Sequence, residues 1–204
     1  VTRRTDVARV VATTLARFGQ LDVWVNNAGR GISRNVSELT DEDFDAMMLV
    51  NVKSVLYGMQ AVLPHFRERG QGHIVNVSSL LGRVPLAPFR SAYCAAKHAM
   101  NSLTANFRME LAQTYPGIHV SCVHPGVVTT GFGLSALHGG VDSRTLPNAQ
   151  SAKEVADVIA DVIEKPRADV YTRPAARAMV VAYYAAEDMG AAEKQPPFMV
   201  PARS

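Results

Sequence analysis

The chain has 204 residues, 48% hydrophobic and 19% charged, with 21 basic against 18 acidic side chains and a net charge of +3. That composition supplies one sizeable core and excludes a disordered chain, while 14 Gly and 11 Pro without a period exclude a collagen-like one. No block of five like charges occurs, so no nucleic-acid partner is expected. No membrane span is expected either: the apolar run Ala175 to Ala186 carries Arg177 and falls short of the roughly 20 residues a bilayer needs. Cys94 and Cys122 lack C-x-x-C spacing and read as reduced core thiols, which fits a cytoplasmic location. The chain opens on Val1 rather than Met, so a targeting segment is not excluded.

Val7, Val10, Val11, Leu15 and Phe18 recur at helical spacing, and Gly19 follows where a left-handed cap belongs. The run Leu21 to Val25, closing on Asn26-Asn27-Ala28-Gly29, predicts a buried strand stopped by a turn. Thr40 is placed to cap a long helix carrying Phe44, Met47, Met48, Val55, Leu56, Met59 and Leu63, with Pro64 bending its end. Its methionines read as a packing face. His73 to Ser78 predicts a second strand and Ser91 to Leu111 a second long helix, with Tyr93, Lys97, Met100, Thr104 and Phe107 near one face. Ile118 to Val123 predicts a third strand, ending in His124-Pro125-Gly126. Ser151-Ala152-Lys153-Glu154 is a capping-box signature for a helix with Val155, Val158, Ile159, Val162 and Ile163, and a short fourth strand is expected near Asp169 to Thr172.

Alternating helices and short apolar strands predict an α/β fold, a doubly wound parallel sheet in three α/β/α layers, as one domain over residues 1–204. Ligands in such sheets bind beyond the C-terminal ends of the strands. The Asn-Asn-Ala-Gly turn, Ser78-Ser79 and Pro125-Gly126 are therefore expected to line one crevice.

Tyr93 and Lys97 stand four apart and share a helix face, where an ammonium beside a phenol favours the phenolate and makes proton exchange near neutral pH feasible. The spacing alone arises easily by chance, and a surface pair is its ordinary explanation. Ser79 closes the neighbouring strand, where its hydroxyl can bond a substrate oxygen, and Asn51 lies in an apolar helix where its amide needs partners. Taken singly, a strand-ending serine and a helix-bending asparagine are equally good accounts. His73, His119 and His124 have no carboxylate or cysteine at metal-ligand spacing and read as structural, so no metal site is expected. His124 does lie beside the crevice.

Together, Asn26-Asn27-Ala28-Gly29, Asn51, Ser79, Tyr93-Cys94-Ala95-Ala96-Lys97 and Pro125-Gly126 with Thr130 resemble the short-chain dehydrogenases/reductases, in order and spacing over essentially the whole chain. The resemblance implies a Rossmann-type, NAD- or NADP-dependent oxidoreductase that interconverts an alcohol and a ketone or aldehyde. It implies Tyr93 as general acid/base and Lys97 as the group that lowers the tyrosine pKa and holds the nicotinamide ribose. Ser79 would orient the substrate oxygen, and Asn51 would hold a water in a proton relay. Asn26, Ala28 and Gly29 would border the adenosine side of the cofactor, Val1 would help bracket the adenine, and Pro125, Gly126, Val128 and Thr130 would enclose the nicotinamide. A homodimer or homotetramer through residues 41–66 and 91–111 is also implied. Ser79 precedes Tyr93 by fourteen residues, one more than usual, which a Pro-containing loop absorbs; Ser79 is preferred to Ser78.

A dinucleotide fold of this kind begins with a strand, a glycine-rich turn and a helix that receives the pyrophosphate, and no such turn occurs in the chain. The sequence therefore resembles a family member without its first two β-α units and third strand, roughly 60 residues in all. Leu21 to Val25 would then be an apolar sheet edge, and cofactor affinity would collapse. Gly131 to Gln150 reads as a lid in which Phe132, Leu134, Leu137 and Leu146 face substrate or pack it down. Two other readings are an epimerase or dehydratase of the extended branch, disfavoured by the short region after Pro125, and a non-catalytic cofactor-sensing or interaction module, or an inactive fragment.

Overall fold

The structure, a computed structural model, describes residues 1–198. Helix α1 (Arg4–Phe18) has Asp6 in its first turn and Arg17 in its last, matching the helix dipole. It stops at Gly19, whose φ of 74° lets its N–H return to the Leu15 carbonyl at 2.9 Å. Strand β1 (Val23–Asn26) starts two residues later than the apolar run suggests. The end of the following helix takes up Leu21 and Asp22: Leu21 N–H donates to His65 Nε2 at 3.2 Å, and Arg69 Nη1 donates to the Leu21 carbonyl at 2.9 Å and Asp22 at 2.7 Å.

The long helix predicted after Thr40 is three segments. Helix α2 (Asp41–Met48) is capped by Thr40, whose hydroxyl accepts from Asp43 N–H at 3.2 Å. A π turn (Leu49–Lys53) follows, then α3 (Ser54–Arg69), which contains Pro64 and ends at Gly70 with φ 68°. By length and composition Asp41–Arg69 could cross a membrane, with mean hydropathy 1.3. Here its apolar side is spent on the sheet, with Val55, Met59, Val62 and Phe66 in the core.

Strands β2 (Gly72–Val77), β3 (Ile118–His124) and β4 (Asp169–Tyr171) join β1 in an all-parallel sheet of order β1-β2-β3-β4. Alternate residues of β2 and β3 are buried on opposite faces. Ile74, Val120 and Cys122 pack on α3 and on Met100 and Leu111 of α4 (Ser91–Ala112), while Val75 and Val123 pack on Val162 of α5 (Ala152–Glu164). Covering both faces gives the three layers and explains why these strands read as continuous apolar runs. The Ser151 capping box forms at the start of α5. The C-terminal apolar run is α6 (Pro174–Tyr184), which buries Ala176, Val180 and Tyr183 against Leu80 and Val84; α7 (Met189–Ala192) follows. Among the described residues strand β1 pairs with β2 alone, and Val25 is 40% exposed.

Candidate active site

Parallel pairing brings the ends of β2 and β3 level. Ser78 N–H donates to the Val123 carbonyl at 2.7 Å and Leu80 N–H to the Pro125 carbonyl at 2.8 Å. The two serines then part company. Ser78 Oγ donates to Asn101 Oδ1 at 2.6 Å in the interior, where Asn101 Nδ2 bonds the Gly82 carbonyl at 2.7 Å. Ser79 instead caps the 3-10 turn Leu80–Gly82, its hydroxyl accepting from Leu81 N–H at 3.1 Å, and it faces the Tyr93 phenol. Gly82 must be bare, since a Cβ there would meet Asn101 Nδ2 at 2.8 Å and Lys97 Cβ at 2.9 Å.

Tyr93 and Lys97 are both buried on α4. Burial pushes the Tyr93 phenol up to about 12, against the opposing bond from Ser79. Lys97 is driven down to about 8 by the same loss of water. Its ammonium donates to the Val77 carbonyl at 2.9 Å and lies 5.7 Å from the centre of the Tyr93 ring. Burial thus outweighs the pull towards phenolate expected from Lys97.

Asn51 is fully buried in the π turn, where the widened helix turns its amide towards the β1 loop. Nδ2 donates to the Arg30 carbonyl at 2.9 Å and the Met47 carbonyl at 3.1 Å, and Oδ1 accepts from Arg30 N–H at 3.2 Å. A Cβ on Gly29 would lie 2.9 Å from Asn51 Oδ1 and 3.6 Å from Lys97 Nζ, so Gly29, Asn51 and Lys97 border one cradle open only to a residue without a side chain. This cradle suits a ribose: Lys97 uses one of its three donors on Val77, and the bare glycine leaves room beside it.

The other residues expected to bind cofactor are dispersed. Asn26 turns its side chain into the core: Oδ1 accepts from Trp24 Nε1 at 2.7 Å and Nδ2 donates to Asn76 Oδ1 at 2.8 Å, which passes on to Thr104 at 2.9 Å. Ala28 and Gly29 are exposed. Val1 is 57% exposed ahead of α1, with no polar contact to the other site residues among the described ones. Pro125 is buried and Gly126 exposed; Val128 bridges to Gln150, and Thr130 N–H bonds the Val128 carbonyl at 2.8 Å.

The segment 131–150 lies down over the site. Leu137 pairs with Ile32, and the Phe132 ring sits 5.6 Å from the Tyr93 ring, whereas Leu134 and Leu146 are exposed. His138 Nε2 is 2.7 Å from Asp43 Oδ1, and Arg34 Nη2 is 3.3 Å from His138 Nδ1. Arg90 belongs to no motif in the sequence. Its Nη1 donates to the Ile32 carbonyl at 3.1 Å; half-burial lowers its pKa, which Tyr93 and Cys94 beside it counter.

His124 departs from expectation, for it has a carboxylate partner. Its Nε2 lies 3.0 Å from Asp169 Oδ1, supplied by β4 from 45 residues away, and its ring stacks on Tyr171 at 5.0 Å. Burial lowers the His124 pKa, against the bond to Asp169. Burial works to raise Asp169, but His124, Arg83 and Arg108 hold it below the usual carboxylate range. Donor atoms of Cys122, His124 and Asp169 lie within 4.8 Å of one another, yet Arg83 and Arg108 already occupy both Asp169 oxygens, which closes the cluster electrostatically to a cation. Of the two free thiols, Cys122 is buried and Cys94 only partly so.

A serine, a tyrosine and a lysine thus come together near the C-terminal strand ends of a parallel α/β sheet. A family profile described as short chain dehydrogenase matches residues 1–137, and the chain belongs to that family. It is 38% identical over 130 residues to an uncharacterized oxidoreductase of Staphylococcus saprophyticus, covering 64% of this chain and 54% of the relative. The chain thus spans about half the length of that curated relative. A short-chain dehydrogenase from Streptomyces avermitilis is similar in structure, with TM-score 0.78 and 28% identity over 95% of this chain and 74% of that one. A short chain dehydrogenase from Burkholderia cenocepacia in complex with NADP aligns with TM-score 0.76 and 27% identity, over 94% and 76%.

Proposed function

We propose that the chain carries the proton-transfer machinery of an NAD(P)-dependent oxidoreductase that interconverts an alcohol and a ketone or aldehyde. The observation that carries this reading is the meeting of Ser79, Tyr93 and Lys97, with Lys97 and Asn51 bordering the bare Gly29. Lys97 would hold the nicotinamide ribose, Gly29 with Asn26 and Ala28 would border the adenosine side, and Pro125, Gly126, Val128 and Thr130 would surround the ring. When bound, the nicotinamide supplies or accepts the hydride at the carbonyl carbon.

In the reductive direction Ser79 Oγ donates to the substrate oxygen, and the neutral Tyr93 phenol gives it a proton as negative charge develops there. Lys97 stabilises the tyrosinate left behind, and a water against Asn51 would return the proton. The Burkholderia relative's complex with NADP supports the cofactor, and two free thiols suit a reducing, cytoplasmic location. Pairing through the outer faces of α3 and α4, where Met109 is 74% exposed, would give the homodimer or homotetramer.

The test is Tyr93→Phe in a chain that also carries a glycine-rich pyrophosphate turn, a change that keeps the ring and removes the proton. Turnover of small carbonyl compounds, followed by NADPH absorbance, is expected to fall roughly 100-fold or more. NADPH affinity by calorimetry should stay within about threefold, because the phenol acts in the transition state rather than on the bound cofactor. Unchanged turnover removes Tyr93 from the mechanism.

A further inference from the structure

Arg90 has no part in that scheme, yet it stands one helical turn ahead of Tyr93 at the start of α4, on the same side of the helix. A Cβ on Gly31 would meet Arg90 Nη1 at 3.0 Å and the Phe132 ring at 3.1 Å, and Phe132 in turn lies against Tyr93. Arg90, Gly31, Phe132 and Tyr93 therefore meet at one point beneath the segment 131–150.

The guanidinium there is half-buried, and among the described residues no carboxylate pairs with it. Its bond to the Ile32 carbonyl uses one of five donors, and its Cζ lies 5.3 Å from the centre of the Phe89 ring. A cation partly withdrawn from water without a counter-ion is costly to keep unless a ligand supplies the charge. Arg30 and Arg34 stand on the same loop, where Arg34 and His138 share the Asp43 carboxylate and Glu38 bonds Asn35. A planar fork matches a carboxylate better than any neutral group.

We propose that Arg90 receives a carboxylate of the substrate, so that the reaction acts on oxo acids and hydroxy acids in preference to neutral carbonyl compounds. This rests on the reading of Tyr93 as proton donor. A short oxo acid would set its carboxylate at the fork and its carbonyl oxygen between Ser79 and Tyr93. Phe132 and Ile32 would take the hydrocarbon part.

The test uses pyruvate, levulinate and their methyl esters with the purified protein and NADPH. Binding is read by saturation-transfer NMR and turnover by NADPH absorbance. The acids are expected to bind the unmodified protein roughly tenfold or more tightly than their esters. Arg90→Met should erase that preference while moving ester affinity by less than about threefold, and Arg90→Lys should keep part of it, since an ammonium retains the charge without the fork. Esters binding as well as acids, no binding of either acid, or a preference that survives Arg90→Met overturns the proposal. The acid-to-ester comparison in the unmodified protein needs no variant to fold. Arg90-dependent binding of acids with no NADPH consumption by a chain that also carries the glycine-rich turn would sink the oxidoreductase reading alone, and consumption with esters in preference to acids would sink the role of Arg90 alone.

Discussion

His73 shows how far burial alone decides the behaviour of a side chain. Its Nε2 meets Ser121 Oγ at 2.8 Å, and its ring lies 5.8 Å from that of His119; loss of water, then that neighbour, drives its pKa to about 4. As pH falls below 6.5 the unfolded chain takes up a proton that the folded chain refuses until about 4, so stability declines through that window. His73→Gln, which cannot ionise, should flatten the decline, a difference of about 2 kcal/mol between pH 7 and pH 4 readable in urea midpoints. A pH dependence equal in the two proteins would place the acid sensitivity elsewhere. The chemistry at this scale was legible only in part. Tyr93 and Lys97 announce themselves because they are four apart on one helix, whereas Asp169 reaches His124 across 45 residues and Arg90 reaches Ile32 across 58, separations that no local pattern encodes.

Elements were legible wherever a local rule governs them. Gly19, Thr40 and the Ser151–Glu154 pair cap their helices as residue type and position dictate. The π turn was hidden because the apolar spacing runs through Leu49–Lys53 uninterrupted, and the widening serves the Asn51 amide rather than the core. Gly58 of α3 is another hidden constraint: a Cβ there would lie 2.2 Å from Asn26 Oδ1 and 2.5 Å from Trp24 Nε1. Gly58→Ala should gain about 1 kcal/mol of helix propensity yet lose more through the broken amide chain, a net loss of about 1–2 kcal/mol by chemical denaturation. The lid has a latch of its own. The tautomer with the proton on His138 Nε2 lets that nitrogen donate to Asp43 while Nδ1 accepts from Arg34. His138→Ala should speed hydrogen exchange at the Ser33 and Leu137 amides, which hold the lid at 2.9 Å, and cost only about 1 kcal/mol of global stability.

For the molecule as a whole, the parallel order and three layers follow from strands that are apolar on both faces, and they were foreseen on that ground. The path of the last third was less legible, since α6 finds its place against Leu80 and Val84, far back in the sequence, and Tyr184 Oη bonds the Arg83 carbonyl at 2.8 Å next to the Ser79 turn. The open flank of β1 is a property of the whole sheet. Backbone of β1 left unpaired among the described residues, beside the 40% exposed Val25, is expected to drive concentration-dependent association of this chain, which Val25→Lys should suppress in light scattering. Equal scattering from both proteins would place the contact elsewhere, for example on α3 and α4.

That edge strand also carries Trp24, the one tryptophan in the chain. Its indole N–H is held by Asn26, the last residue before the turn that leads to Gly29. Intrinsic fluorescence at tryptophan wavelengths therefore originates at a single point, half-buried on the sheet margin and wired through amides to α4. A shift in its emission on adding a nucleotide, an acid or a second strand would report an event at that margin, and quenching by acrylamide would measure how open the margin is, with no label introduced.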